Sequence, residues 1–329
     1  MLKNNFILIK AKPKTNKPLA EAVAGDLLCY NNDKLYIYPS NKFEGTPIGV
    51  VVIPTSHNVY GNGSCGVMSL VNMSCQTPDT GTIENPYIKW GGEKTGDITT
   101  LPNYDSFVHL GNSATISETI ELQPIGFSYK SYLPSDRFTT LQNPYDTDTY
   151  YNVEDKYHMP SPYMEDDSRN PQYSQTSAPS TSANALSDFN GKGNTEILTN
   201  LVTLQPDWKT ASTIKQEFND GVSGYFPAAC CCWRFHTLGT KQGEWYLPAI
   251  GELGYIIPKF TKIDSSIPNS EISTKVGNCA CWSSTETSFN GGTTWFIQTY
   301  DGTVVTFNSR EYGQIVRAFM QAGPDIVAE

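Results

Sequence analysis

The sequence has little of what binds nucleic acid or crosses a membrane. Basic residues are outnumbered by acidic ones, 23 to 33, which gives a formal charge of −10 and a pI near 4.9. Binding to phosphates needs clustered Lys and Arg, so this charge argues against a nucleic-acid partner. The longest apolar run, Ile48–Ile53, is far shorter than the roughly 20 residues that span a bilayer. We therefore expect neither nucleic acid nor membrane among the partners.

The residues that usually carry catalysis are also scarce. The 329 residues include four histidines, and none of them pairs visibly with a candidate nucleophile. No glycine-rich phosphate-binding motif occurs. Residues 1–10 have a short apolar core without a small-residue cleavage site, so no signal peptide is expected. The sequence predicts a protein that is not an enzyme and uses no cofactor.

Eight cysteines raise the question of disulfides or metal, and their spacing favours neither. Cys230, Cys231 and Cys232 are adjacent, and neighbouring cysteines rarely bridge each other. Cys279 and Cys281 are too close for a zinc knuckle. His236 follows Cys232 by four residues, which permits one metal pair on a helix. Buried free thiols are the simpler interpretation, so we expect no metal, eight free cysteines and folding in a reducing cytoplasm.

The first third of the chain has the pattern of a small β-structure. Residues 1–20 are short, basic and Pro-containing, as expected of either an attachment arm or a disordered terminus. Residues 21–115 form a predicted β-rich attachment module. Its strands are expected at 27–30 and 35–38 around a hairpin turn, at 46–54 and at 67–72. Residues 76–115 are rich in Gly, Thr, Asn and Pro, which is typical of a linker or an irregular extension.

The middle of the chain has few periodic segments. Strands are predicted at 116–122 and 125–129. The loop 143–182 is rich in Tyr and acidic residues, which suits either ligand binding or packing between subunits. Three helices are then predicted: one capped by Asn194, one that carries Ala211, Ile214 and Phe218 and stops at Gly221, and one that begins at Pro227.

The most strongly patterned segment is Gly243–Gly254, GEWYLPAIGELG. Pro248 suits the first turn of a helix. Apolar residues follow at steps of three and four, at Ile250, Leu253, Ile257 and Phe260. Further strands are predicted at 295–299 and 304–308 around the tight-turn pair Asp301-Gly302, and a last strand at 315–320.

The order of Gly243–Gly254, Cys281–Ser284, Trp295–Gln298 and Ile315–Phe319 resembles the C-type-lectin-like domains related to the formylglycine-generating enzymes. The versions in bacteriophage and Bacteroides-type surface proteins are the most similar. The resemblance implies an α+β fold: the β-rich module, then a lectin-like domain at 116–322 and a tail at 323–329. Two helices, near 227–237 and 248–257, would pack on a small antiparallel sheet. Its last strand would pair with 116–122 or 125–129, and Trp245, Trp282 and Phe319 would be buried.

The same resemblance implies a function. In phage relatives the last strands and their loops carry the receptor-binding face. The corresponding positions are Thr285, Glu286, Phe289, Asn290, Trp295, Tyr300, Asn308, Arg310 and Tyr312, of which Trp295 is equally compatible with the core. Trp245, Leu247, Glu252, Trp282, Ser283 and Arg317 would be structural.

The resemblance to Bacteroides-phage (crAss-like) virion proteins implies a head fibre, decoration protein or tail adhesin, assembled in the host cytoplasm. Such a protein would bind a host-surface glycan or protein. By fibre analogy it would be a homotrimer, attached to a capsid or tail protein through the N-terminal module. A bacterial surface adhesin is the alternative. A formylglycine-type oxidase is disfavoured, because Cys281 has no neighbouring cation in the sequence.

Overall fold

A computed structural model describes residues 15–57, 59–91, 189–200, 202, 204–216, 225–256, 259–268, 275, 280–286, 293–298 and 304–328. The strands predicted at 116–122 and 125–129 and the loop 143–182 lie outside these residues, as does most of the N-terminal arm. Within the described ranges the structure combines three β-sheets with four short α-helices, which is an α+β architecture. No helix of this part of the chain has the length and apolarity needed to span a bilayer.

The largest sheet has six antiparallel strands drawn from both halves of the sequence. Its strands, in chain order, are β1 (Leu27–Asn31), β2 (Lys34–Tyr38), β3 (Thr46–Ile53), β4 (Cys65–Ser69), β6 (Trp245–Tyr246) and β11 (Phe319–Ala322). Across the sheet they lie in the order β2-β1-β3-β4-β11-β6. The predicted strands of the N-terminal module are therefore confirmed within two or three residues, but they continue into strands from the C-terminal half.

The β1–β2 hairpin follows directly from its local sequence. Asn32 and Asp33 form the turn with positive φ angles of 49° and 64°. Asn and Asp tolerate this left-handed conformation better than other side chains, and two such residues match the twist of a tight hairpin. β3 is β-branched and buried, and its residues Val50 to Ile53 have no exposed surface.

The last strand has different neighbours from those predicted. β11 lies between β4 and β6, with Phe319 opposite both Met68 and Tyr246. Both of its edges are therefore occupied, and the expectation that it pairs with 116–122 or 125–129 is wrong. A strand's partner depends on side chains distant in sequence, which local patterns do not reveal. The six-stranded sheet therefore contains strands from both sides of the predicted domain boundary at residue 116.

Two smaller sheets complete the β-structure. One contains β7 (Ala280–Glu286), β8 (Thr293–Gln298) and β9 (Val304–Ser309) in that order, and β8 and β9 match the strands predicted at 295–299 and 304–308. The other is a two-stranded ribbon of β5 (Ile88–Lys89) and β10 (Gly313–Gln314). β5 lies in the segment that the sequence predicted to be a linker or irregular extension.

The helices are α1 (Gly191–Asn200), α2 (Pro227–Arg234), α3 (Ile250–Gly254) and α4 (Phe260–Ser266). α2 begins at its proline as predicted, and α3 lies within the predicted span 248–257. Phe260 begins a separate helix. Two expectations are wrong. Asn194 lies inside α1, where its N–H donates to the Asn190 carbonyl (2.8 Å). Residues 211–216 are irregular because the Ile214 N–H donates to the Cys75 carbonyl (2.7 Å) instead of forming a helical bond.

Apolar clusters cover both faces of the six-stranded sheet. One contains Leu28, Val51 and Met320 and packs against α2. The other contains the alternate positions, such as Val50 and Phe319, and packs against α3 and α4. The predicted burial of Trp245, Trp282 and Phe319 is confirmed, since all three have no exposed surface. Each such side chain contributes about 1.5–3 kcal/mol to stability.

Candidate functional site

The β5–β10 ribbon is held in place by two buried tryptophans. Trp282 of β7 donates its indole N–H to the Ile88 carbonyl on β5 (2.9 Å). In return, Trp90 donates its indole N–H to the Ser283 carbonyl on β7 (2.7 Å). Neither tryptophan has exposed surface. Because buried indoles are costly without an acceptor, these reciprocal hydrogen bonds fix the ribbon against β7.

The same two tryptophans also pack against buried phenylalanine rings. The Trp90 ring contacts Phe226 edge to face, with 5.5 Å between the centroids and an interplanar angle of 75°. Trp282 packs on Phe296 in the same way, at 5.5 Å and 73°. Offset and edge-to-face pairs of this kind stabilise beyond the area that they bury. The inner side of the ribbon is therefore part of the core.

Arg310 belongs to this buried side. Its side chain is 2% exposed, and its guanidinium carbon lies 6.0 Å from the centroid of the Trp90 ring. The Arg310 carbonyl accepts hydrogen bonds from the N–H groups of Trp90 (2.9 Å) and Gly91 (3.2 Å). The expectation that Arg310 is an exposed contact residue is wrong, because the indole and the backbone of 90–91 enclose it.

Two tyrosines next to the ribbon strands are exposed. Tyr87, which precedes β5, is 66% exposed, and Tyr312, which precedes β10, is 61% exposed. They have the largest exposed fractions among the large apolar and aromatic side chains of the described residues. Gly313 makes room for the first of them, since a Cβ at this position would lie 2.6 Å from the Tyr87 Cβ. The ribbon thus presents two phenol rings on a short, well-anchored backbone.

The other predicted contact residues are distributed differently. Trp295 is fully buried and belongs to the core, which is one of the two alternatives that the sequence allowed. Thr285 is also buried and accepts a hydrogen bond from the Ile250 N–H (3.0 Å), so its predicted surface position is wrong. Glu286 and Asn308 both lie opposite Thr294 in the three-stranded sheet, which places them in one cross-strand row. Phe289, Asn290 and Tyr300 are outside the described residues.

A buried carboxylate links α3 to the six-stranded sheet. Glu252 accepts hydrogen bonds from the Tyr246 hydroxyl (2.7 Å), the Tyr60 hydroxyl (2.9 Å) and the Ala249 N–H (2.7 Å). Burial and the adjacent carboxylate raise the pKa of Tyr246 well above its usual value, so this phenol keeps its proton. The cluster has the polar structural role that the sequence predicted for Glu252.

Arg317 has a comparable structural role at another of the predicted polar positions. It is 1% exposed and donates to the Ser69 carbonyl (2.9 Å) and the Lys275 carbonyl (3.2 Å). In the described ranges no group of three or more His, Cys, Asp or Glu residues could hold a metal ion. Seven cysteines are described there, and all of them are buried and outside any disulfide. Cys279 lies outside these residues.

Comparisons with known proteins identify no family. No family model matches the chain, and no curated protein matches it. Among solved structures, a fimbrial protein from Bacteroides ovatus is similar at 14% identity with a TM-score of 0.41. The alignment covers 91% of this chain and 49% of that protein, so the chain spans about half of its length. This similarity is too low to define a common fold.

Proposed function

We propose that this protein is a non-enzymatic attachment protein whose β5–β10 ribbon contacts a surface glycan or protein. The observation that carries the proposal is the contrast within the ribbon: the buried Trp90 and Trp282 anchor it, while Tyr87 and Tyr312 beside its strands are exposed. Tyrosine combines a broad apolar ring with a hydrogen-bonding hydroxyl. It also has few rotatable bonds, so little conformational entropy is lost when it binds.

The anchoring of the ribbon favours binding, because a group that is flexible before binding loses conformational entropy when the ligand orders it. A ribbon fixed by two indole hydrogen bonds has already lost this freedom during folding. Sugars stack on exposed aromatic rings, and hydroxyl groups of the ligand can bond to the phenol. A glycan is therefore the ligand class that best fits two exposed tyrosines.

The biological setting of this proposal comes from the sequence resemblance. We place the protein in a virion, as a head fibre, decoration protein or tail adhesin assembled in the host cytoplasm. The N-terminal arm and β-module would attach it to a capsid or tail protein as a homotrimer. Recognition by the ribbon would then bring the particle to the host surface. A bacterial adhesin could use the same ribbon in the same way.

The test is a binding experiment with the double variant Tyr87→Ala/Tyr312→Ala. A panel of immobilised bacterial surface polysaccharides serves as the probe, read out by surface plasmon resonance. A tyrosine that acts as a hot spot is worth about 2 kcal/mol, so the double variant should bind at least about thirtyfold more weakly. Both rings are exposed, so the unfolding free energy should change by less than about 0.5 kcal/mol per substitution.

Leu238→Ala is the matched control, because Leu238 is 49% exposed in the turn that follows α2, apart from the ribbon. It should keep both binding and stability. Unchanged binding by the double variant would refute the ribbon as the contact surface. A large fall in melting temperature with intact binding would show that the two tyrosines are structural.

A further inference from the structure

Two cysteines that are distant in sequence bring their sulfur atoms together. Cys75 follows β4, and Cys231 lies in the middle of α2, 156 positions later. Their Sγ atoms are 3.4 Å apart, and the side chains are 4% and 0% exposed. The other two cysteines of the triplet, Cys230 and Cys232, are buried on the same helix.

Contacts on both sides hold this pair in place. The Cys75 carbonyl accepts a hydrogen bond from the Ile214 N–H (2.7 Å). One helical turn beyond Cys231, Arg234 forms a salt bridge with Asp79 (2.7 Å), which lies four residues after Cys75. The Ile214 bond fixes the backbone at Cys75, and the Asp79–Arg234 salt bridge joins the segment 75–79 to α2. Together these contacts keep the two sulfur atoms close to each other.

We propose that Cys75 and Cys231 are a cross-linking site that forms a disulfide when the protein folds or opens in an oxidising environment. The sulfur atoms have only to approach from 3.4 Å to about 2.05 Å. This inference does not depend on the proposed function, since the reaction is a property of the isolated chain.

The reaction is a thiol–disulfide exchange with a small disulfide such as oxidised glutathione. One cysteine thiolate attacks the glutathione disulfide and releases one reduced glutathione. The second cysteine then attacks the mixed disulfide and releases the other glutathione. The cysteines lose two protons and two electrons, and the oxidant takes them up as two thiols.

Burial determines when this exchange can occur. Desolvation by burial, and after it the hydrogen bond with Cys75, raises the pKa of Cys231 well above its usual value. The reactive thiolate is therefore scarce while α2 is packed. We expect slow oxidation of the folded protein and fast oxidation during refolding. Once formed, the disulfide would be buried and shielded from reductants.

The experiment compares refolding of the full chain with oxidised and reduced glutathione and refolding with dithiothreitol. Digestion without reduction, followed by mass spectrometry, should show one peptide that joins Cys75 to Cys231. The bond closes a long loop, which restricts the unfolded chain, so the oxidised protein should melt about 10 °C higher. Dithiothreitol in denaturant should abolish both effects.

Variants make the assignment specific. Cys75→Ala should lose the linked peptide and the gain in melting temperature, whereas Cys232→Ala on the same helix should keep both. If Cys75→Ala does not fold, the peptide map of the natural chain still shows whether Cys75 is joined to Cys231. Absence of the Cys75–Cys231 peptide after oxidative refolding, or its replacement by a link through Cys230 or Cys232, would overturn the proposal.

Discussion

The six-stranded sheet and the β5–β10 ribbon are stabilised in different ways. In the sheet, strands of up to eight residues pair along their length and bury apolar side chains on both faces. The ribbon has two residues in each strand, too few for its own ladder to be stable. Its position depends on the side chains of Trp90 and Trp282. A short strand can thus be as well placed as a long one when buried indoles bond to its backbone.

The largest expected effect comes from Trp282→Ala, which removes an anchor that serves both the core and the ribbon. We expect a loss of about 3–5 kcal/mol in the free energy of unfolding. Chemical denaturation measures this loss. Amide hydrogen exchange should also show that the Trp90 N–H, which donates to Arg310, exchanges faster than the sheet amides.

Two control variants separate the contributions in that experiment. Trp282→Phe keeps an aromatic ring but leaves the Ile88 carbonyl without its indole donor, at a cost of about 1–3 kcal/mol. Met68→Ala in the centre of the six-stranded sheet should lower global stability by about 2–5 kcal/mol without selectively exposing the ribbon. Equal exchange profiles for Met68→Ala and Trp282→Ala would mean that the ribbon is not held separately.

A smaller effect is expected for Arg310→Met, which tests whether this side chain belongs to the structure. Removal of a desolvated cation over the Trp90 ring should cost about 2 kcal/mol. The melting temperature should fall, while binding by Tyr87 and Tyr312 persists under conditions in which the variant is folded. Unchanged stability together with lost binding would restore Arg310 as a contact residue.

The smallest expected effect per residue is a loss of stability at alkaline pH, caused by two buried thiols of the six-stranded sheet. Burial raises the pKa of Cys29 on β1 and of Cys65 on β4 from 9.0 to about 12. Below pH 9 both states keep these protons. As the pH rises toward 12, the unfolded thiols ionise first and the folded state loses stability. At pH 10 each thiol should cost about 1.4 kcal/mol.

Denaturation curves at pH 8 and pH 10 measure this loss. Cys29→Ala removes one of the titrating groups, so its stability should fall less between the two pH values than that of the natural chain. The strands β5 and β10 of the ribbon contain no cysteine, so their own side chains contribute no thiol ionisation to this loss. Parallel losses in the natural chain and in Cys29→Ala would contradict the assignment.

The sequence predicted the elements whose signals are local. The turn at Asn32-Asp33, the β-branched strand β3 and the helix that begins at Pro227 are confirmed because each depends on its own residues. The partner of β11 could not be predicted, since it depends on contacts between opposite ends of the chain. Asn194 was wrongly assigned as a cap because α1 already begins at Gly191, three residues earlier.

The candidate site was predicted in part. The resemblance led to Tyr312, which is exposed, but also to Arg310 and Thr285, which are buried. Burial of Arg310 depends on Trp90, more than 200 positions earlier in the chain. Tyr87 and Trp90 were missed because they lie in a segment rich in Gly, Thr, Asn and Pro. The sequence Tyr87-Ile-Lys-Trp90 does alternate, but four residues are too few to indicate a strand.

The position of β11 has a consequence for how the protein is made. A ribosome releases β1 to β4 early, but about 250 residues separate Ser69 from Phe319, the first residue of the strand that covers β4. At about 5–20 residues per second, the β4 edge stays open for roughly 12–50 s during synthesis. An open edge invites pairing with other chains. We therefore expect that this protein relies on chaperones in the cell, and that soluble yield rises when translation is fast relative to nascent-chain association.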